Sequence, residues 1–129
     1  MGEKGYKLSP EDRKLLAKDL YQRLGTKTLV QDMKYIKTNR PIPIWLVDTI
    51  MEEVRLFADE PWIPIDTVRP YLRSLSSMTD EEKAELLQLM GNGTDVERID
   101  FYVSHRFDFR GLIPKGLALE AKEGMYEKE

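Results

Sequence analysis

Apolar residues recur every three or four positions along most of the chain, and this spacing predicts amphipathic helices. The clearest helix begins after Ser9 and Pro10, because serine is a favourable N-cap and proline suits the first helical position, and it ends at Gly25. Thr79 and Glu82 form a capping-box pattern that opens a later helix. In chain order, the predicted helices cover about 10–24, 29–36, 44–58, 66–75 and 79–90.

The stretch 44–58 has the most regular apolar pattern of the five predicted helices. We expect Ile50 and Val54 to lie on its buried face. Two prolines, Pro61 and Pro64, follow this stretch and predict an extended connector, because a residue before proline avoids the helical region.

The spacing of apolar residues changes from about 3.6 to 2 near the C-terminus. From Ile99 to Phe109 the odd positions are apolar or aromatic except His105, which is typical of a strand. The sequence around Pro114 and Gly116 favours a turn, after which a second strand over 117–119 returns. The pattern therefore predicts a C-terminal β-hairpin over 99–119.

These elements together predict an α+β fold that is mostly helical. The order helix, extended connector, two helices and hairpin over 44–110 is that of a winged helix, and the preceding segment follows a helix-turn-helix rhythm. We expect a single compact domain over 1–120, made of a basic helical part at 1–43 and a helical and hairpin part at 44–120, and a charged tail at 121–129.

The composition excludes several classes of site. The 129 residues contain no cysteine and one histidine, His105, which excludes a disulfide framework, a thiolate metal site and any triad or metal site that needs two histidines. No apolar run reaches the roughly 18 residues of a membrane-spanning helix, and the N-terminus lacks the apolar stretch of a secretory signal. We therefore expect a cytoplasmic protein that is not an enzyme, has no cofactor and no metal, and does not enter a membrane.

Charge is distributed unevenly along the chain. Residues 1–40 hold ten basic and five acidic residues, a net charge of +5, whereas residues 41–100 hold five and thirteen, a net charge of −8. A basic cluster attracts phosphates, and an acidic region suits a basic protein partner. Solvated helix faces explain both segments equally well.

The basic segment contains two strings that carry a family resemblance. Leu24-Gly25-Thr26-Lys27 and Lys37-Thr38-Asn39-Arg40-Pro41-Ile42-Pro43 resemble repressor-type helix-turn-helix regulators of microbes and their mobile elements, over residues 10–58. The resemblance implies a small DNA-binding transcriptional regulator. Cationic and amide side chains suited to phosphates and base edges complete this prediction: Lys27, Lys34, Lys37, Asn39 and Arg40.

Two other hypotheses remain open. The acidic middle is also typical of an adaptor or inhibitor that binds a basic partner protein without catalysis. The apolar face of the predicted 99–119 hairpin, which includes Phe107, favours a homodimer if the helices leave it uncovered.

Overall fold

The computed structural model describes residues 7–33, 41–56, 61–122 and 124–126. Within these residues the chain forms three α-helices and seven short strands. The strands make two sheets, one with the order β2-β1-β6-β7 and the other with the order β3-β4-β5. In chain order the elements are α1 (Pro10–Gln22), β1 (Leu29–Asp32), β2 (Ile42–Pro43), β3 (Leu46–Asp48), β4 (Glu53–Arg55), β5 (Ile63–Pro64), β6 (Val68–Leu72), α2 (Asp80–Asn92), α3 (Asp95–Ser104) and β7 (Leu119–Glu120).

The predicted mostly helical fold of helix-turn-helix or winged-helix type is wrong, because three of its helices are replaced by strands and its wing is replaced by a helix. The two helices with clear N-terminal signals are confirmed. In α1, the Ser9 hydroxyl accepts the N–H of Asp12 at 3.1 Å, and the helix buries Leu16, Ala17 and Leu20. The capping box that opens α2 is also present.

The segment 29–36, predicted as a short second helix, forms strand β1, and its residues 34–36 lie outside the described residues. It pairs antiparallel with β2 and with β6, and β6 in turn pairs in parallel with β7. Strand β6 replaces the predicted 66–75 helix. Pro70 lies opposite Val30 of β1, and the parallel pairing with β7 begins only at Tyr71, so β7 does not require a backbone N–H from the proline.

Over its described residues, 44–56, the predicted 44–58 helix is a β-hairpin made of β3 and β4. Val54 pairs with Val47 on one side and with Ile63 on the other, so β-branched side chains line the core face of this sheet. Asp48 closes the turn by accepting the N–H groups of Ile50 and Met51, both at 3.0 Å. The extended segment predicted around Pro61 and Pro64 contains strand β5, which confirms that prediction.

The predicted strand over 99–109 is the helix α3 followed by a tight turn. Thr94 caps the helix, and Arg106 then adopts a left-handed backbone conformation with φ 62°. Phe107 is fully buried and lies beside Arg73 through an isolated parallel bridge. The 99–119 hairpin predicted to form a homodimer is therefore not formed, although the turn before Gly116 is confirmed.

The main core lies between α1 and the two sheets. Buried side chains of α1, β1, β4, β5 and β6 form one cluster, and a second cluster joins Leu72 to Leu112, Leu117 and Ala118. Helices α2 and α3 contact each other beside this body.

The hairpin bears out one of the two burial predictions made for a 44–58 helix and contradicts the other: Val54 is buried as predicted, whereas Ile50 is not. Ile50 is 88% exposed at the turn, whereas Val54 is 0% exposed in β4. We expect Ile50→Ala to change the free energy of unfolding by less than about 0.5 kcal/mol, and Val54→Ala to lower it by about 2 kcal/mol. Urea denaturation of both variants measures the difference, and a larger loss for Ile50→Ala would contradict the hairpin.

Candidate functional site

Helices α2 and α3 begin with the same capping chemistry. In α2, the Thr79 hydroxyl accepts the N–H of Glu82 at 3.1 Å, and the Glu82 carboxylate accepts the N–H of Thr79 at 2.8 Å. Thr94 and Glu97 make the equivalent pair in α3, at 3.1 and 2.9 Å. These caps place acidic side chains in both first turns, where they also interact favourably with the helix dipole.

The short connection between the two helices fixes α2 against α3. Arg98 Nη1 donates to the carbonyl oxygens of Leu89 at 2.8 Å and Gly93 at 3.0 Å, which satisfies the C-terminal end of α2. A Cβ atom at Gly93 would lie 2.7 Å from the Leu89 carbonyl oxygen. A larger residue at this position would therefore displace the turn.

Helix α2 has no fully buried residue among its 13, and its packed apolar side chains, Leu86 and Leu89, are half-buried. A surface helix normally buries an apolar stripe against the protein. Here Leu87 is 70% exposed and Met90 is 62% exposed, and Val96 at the start of α3 is 67% exposed. Leu87 and Met90 are three residues apart and so share one helix face. The helix therefore presents apolar side chains to solvent.

Acidic side chains accompany these exposed apolar residues. Residues 79–100 contain seven acidic and two basic residues, a net charge of −5. One of the two basic residues, Arg98, is engaged in the turn described above. We call this region the α2–α3 surface; its exposed members are Leu87, Met90, Val96, Asp80, Glu81, Glu85, Asp95, Glu97 and Asp100.

Arg73 attaches the start of α2 to the body of the protein. Its two terminal nitrogens donate to the two carboxylate oxygens of Glu82, each at 2.8 Å, and its guanidinium lies 4.3 Å from the centre of the Phe107 ring. These hydrogen bonds from Arg73 lower the pKa of Glu82 to about 2. Glu82 thus has two roles, because it also caps α2.

His105 adds a contact between α2 and the end of α3. Its Nδ1 lies 3.3 Å from a Glu82 oxygen, and its Nε2 lies 3.8 Å from a Glu85 oxygen. The ring also contacts Phe101, with 4.6 Å between the ring centres. In the described part of the chain, no three His, Cys, Asp or Glu residues are grouped so that they could hold a metal ion.

A cleft of about 600 Å³ lies beside Arg73, Glu82 and His105 and extends to Tyr126. Arg106 in its wall donates to the Thr26 carbonyl oxygen through Nε at 3.1 Å and Nη2 at 2.6 Å, and it lies over the Tyr126 ring. These polar groups connect segments of the fold. The cleft therefore does not by itself identify a ligand.

Most of the residues predicted to contact DNA lie outside the described residues: Lys34, Lys37, Asn39 and Arg40. Lys27 is described, and it is exposed in a turn with a left-handed backbone conformation, φ 61°. It precedes strand β1, where the prediction has a helix.

Sequence reasoning placed Leu87 and Met90 in a helix but did not identify them as exposed functional candidates. The available signal was the run Leu86-Leu87-Gln88-Leu89-Met90. Its four apolar residues cover more than one face of a helix, so a helix packed on one side leaves some of them in solvent.

No protein-family model, curated protein or solved structure matches this chain. Among the described residues, no helix combines the length and apolar character needed to cross a membrane.

The Arg73–Glu82 contact predicts a specific pH dependence of stability. The pKa of Glu82 is lowered in the folded protein, so its stabilisation is present above the unfolded pKa and is lost as the pH falls from about 5 towards 2. Because the contact is partly open to water, we expect a loss of roughly 1–2 kcal/mol. Glu82→Gln keeps a capping side chain but removes this charge, and should flatten the pH profile measured by urea denaturation.

Glu81→Gln is the matched control, because Glu81 is an exposed neighbour in the same helical turn. Its pH profile should resemble that of the unaltered protein. An equal flattening in both variants would contradict the assignment to Glu82.

Proposed function

We propose that this protein is a non-catalytic adaptor whose α2–α3 surface binds a basic segment of a partner protein. The observation that carries the proposal is that α2 has no fully buried residue and exposes Leu87 and Met90. Exposed apolar residues that lie close together on a protein surface are typical of interaction sites.

The chemistry of the surface favours a particular partner. Leucine and methionine one turn apart suit an amphipathic helix, which inserts its own apolar side chains at similar spacing, and methionine adapts its shape to the partner. The net charge of −5 over residues 79–100 favours lysine and arginine around that apolar stripe. We therefore expect a basic amphipathic helix.

The internal contacts of the helix pair support binding without a large rearrangement. Arg73 and Glu82 hold the start of α2, and Arg98 holds its end. A surface that is already ordered loses less conformational entropy when a partner binds.

Binding of duplex DNA through residues 27–40 stays a prediction. Lys27, its described member, is exposed, and the predicted 29–36 helix, which includes Lys34, is strand β1 where the structure describes it. We place protein binding first because its residues are described and exposed together.

The proposal is tested with a fluorescein-labelled amphipathic helical peptide made of leucine and lysine. We expect the full chain to bind it, and Leu87→Gln with Met90→Gln to weaken binding by about 10-fold or more in anisotropy titrations. Ile50→Gln with Met51→Gln is the matched control, because these residues are 88% and 64% exposed on the β3–β4 turn.

Charge provides a second readout in the same assay. Glu81→Lys with Asp100→Lys, two exposed positions of the surface, should reduce affinity and make it less dependent on salt. Failure of the unaltered protein to bind the peptide, or an equal loss in the β3–β4 control, would reject the proposed function.

A further inference from the structure

A second candidate surface lies along the exposed side of α1, next to the buried residue Ala17. A shallow cavity of about 390 Å³ is lined there by residues of α1 and by Thr49 of the β3–β4 turn. Residues at spacings of three, four and seven share one face of a helix. The α1 members of the lining have these spacings: Lys14, Ala17, Lys18, Tyr21 and Gln22.

The lysines of this face are exposed. Among the described residues, Lys14 and Lys18 form no hydrogen bond and no ion pair. The arginines of the same helix differ, because Arg13 binds Asp66 and Arg23 binds its buried neighbour Asp19. The cationic groups of α1 that are available to an external ligand are therefore its lysines.

An aromatic ring and an amide complete the face. Tyr21 is 56% exposed. Gln22 accepts a hydrogen bond from Arg110 through its side-chain oxygen, which leaves its amide nitrogen as a donor. Glu11 lies one turn before Lys14 on the exposed side, but it does not line the cavity.

These groups are suited to a ligand that has both phosphates and flat rings. Lysine is a compact cation on a flexible stem and binds phosphate as a point charge. An exposed tyrosine provides a stacking surface for a base, and bases reach such a surface when they are not paired in a duplex. We propose that this face of α1 binds single-stranded nucleic acid, with Lys14 and Lys18 against backbone phosphates and a base stacked on Tyr21.

This site is distinct from the α2–α3 surface and from the predicted 27–40 site. It uses no residue of either one. Binding at α1 and binding at the α2–α3 surface can therefore succeed or fail independently.

The test uses the full chain and a fluorescein-labelled oligo(dT) of about 12 nucleotides, which is within the range of common single-strand sites. We expect Lys14→Ala with Lys18→Ala to weaken binding and to reduce the slope of log K against log salt by about 1.4, or 0.7 per lost phosphate contact. Tyr21→Ala should weaken binding by about 5-fold or more, and Tyr21→Phe should retain it.

Lys83→Ala with Lys115→Ala is the matched control, because both lysines are exposed and lie outside α1. It should bind like the unaltered protein. The proposal is overturned if the full chain does not bind the oligonucleotide at low salt, or if the control loses as much affinity as the α1 variant. Two results together would also overturn it: duplex DNA binds as tightly as the oligonucleotide, and Tyr21→Ala has no effect. Base stacking on Tyr21 would then have no role.

Discussion

The buried carboxylate of Asp19 is the constraint on which much of the fold depends. A charge removed from water needs compensating partners, and Asp19 has two. Arg23 donates to it through Nε at 2.7 Å and Nη2 at 3.1 Å, and Arg110 donates at 2.5 Å. Arg23 also donates to the Phe107 carbonyl oxygen at 2.8 Å, so the same ion pair joins α1 to the turn after α3. The Phe107 ring then contacts Arg73, which holds the start of α2.

In this arrangement, arginine and lysine side chains have different roles. The arginines discussed above connect elements of the fold, whereas Lys14 and Lys18 face solvent on α1. Carboxylates are divided in a similar way, because Asp19 is fully buried while the acidic residues of the α2–α3 surface are exposed. Some of the charged side chains therefore pair with each other inside the fold. Exposed lysines remain on α1, and exposed carboxylates remain on the α2–α3 surface. These exposed charges support both the proposed basic protein partner and the proposed nucleic-acid contact.

Sequence predicted the elements whose signals are local and missed those that depend on distant partners. The capping box at Thr79 opens α2 within a few residues, and that helix was predicted correctly. Val54 is paired with Ile63, a residue outside its own hairpin, and such pairing is not visible in apolar spacing alone. Thr94 carries a local signal for α3, but the alternating residues after it indicated a strand. The candidate site was missed for a related reason, because the exposure of Leu87 depends on how α2 packs.

If the Asp19 ion pair holds α1 to the rest of the fold, Asp19→Ala should be clearly less stable than the unaltered protein in urea denaturation. Removing the carboxylate leaves the buried Arg23 without its charge partner, so we expect a loss of about 3–5 kcal/mol in the free energy of unfolding. Asp19→Leu combined with Arg23→Met should recover part of that loss, because both fully buried charges are then removed while Arg110 still loses its contact with Asp19. Asp100→Ala, an exposed aspartate on α3, should change stability by less than about 0.5 kcal/mol. An Asp19→Ala variant as stable as this control would contradict the account.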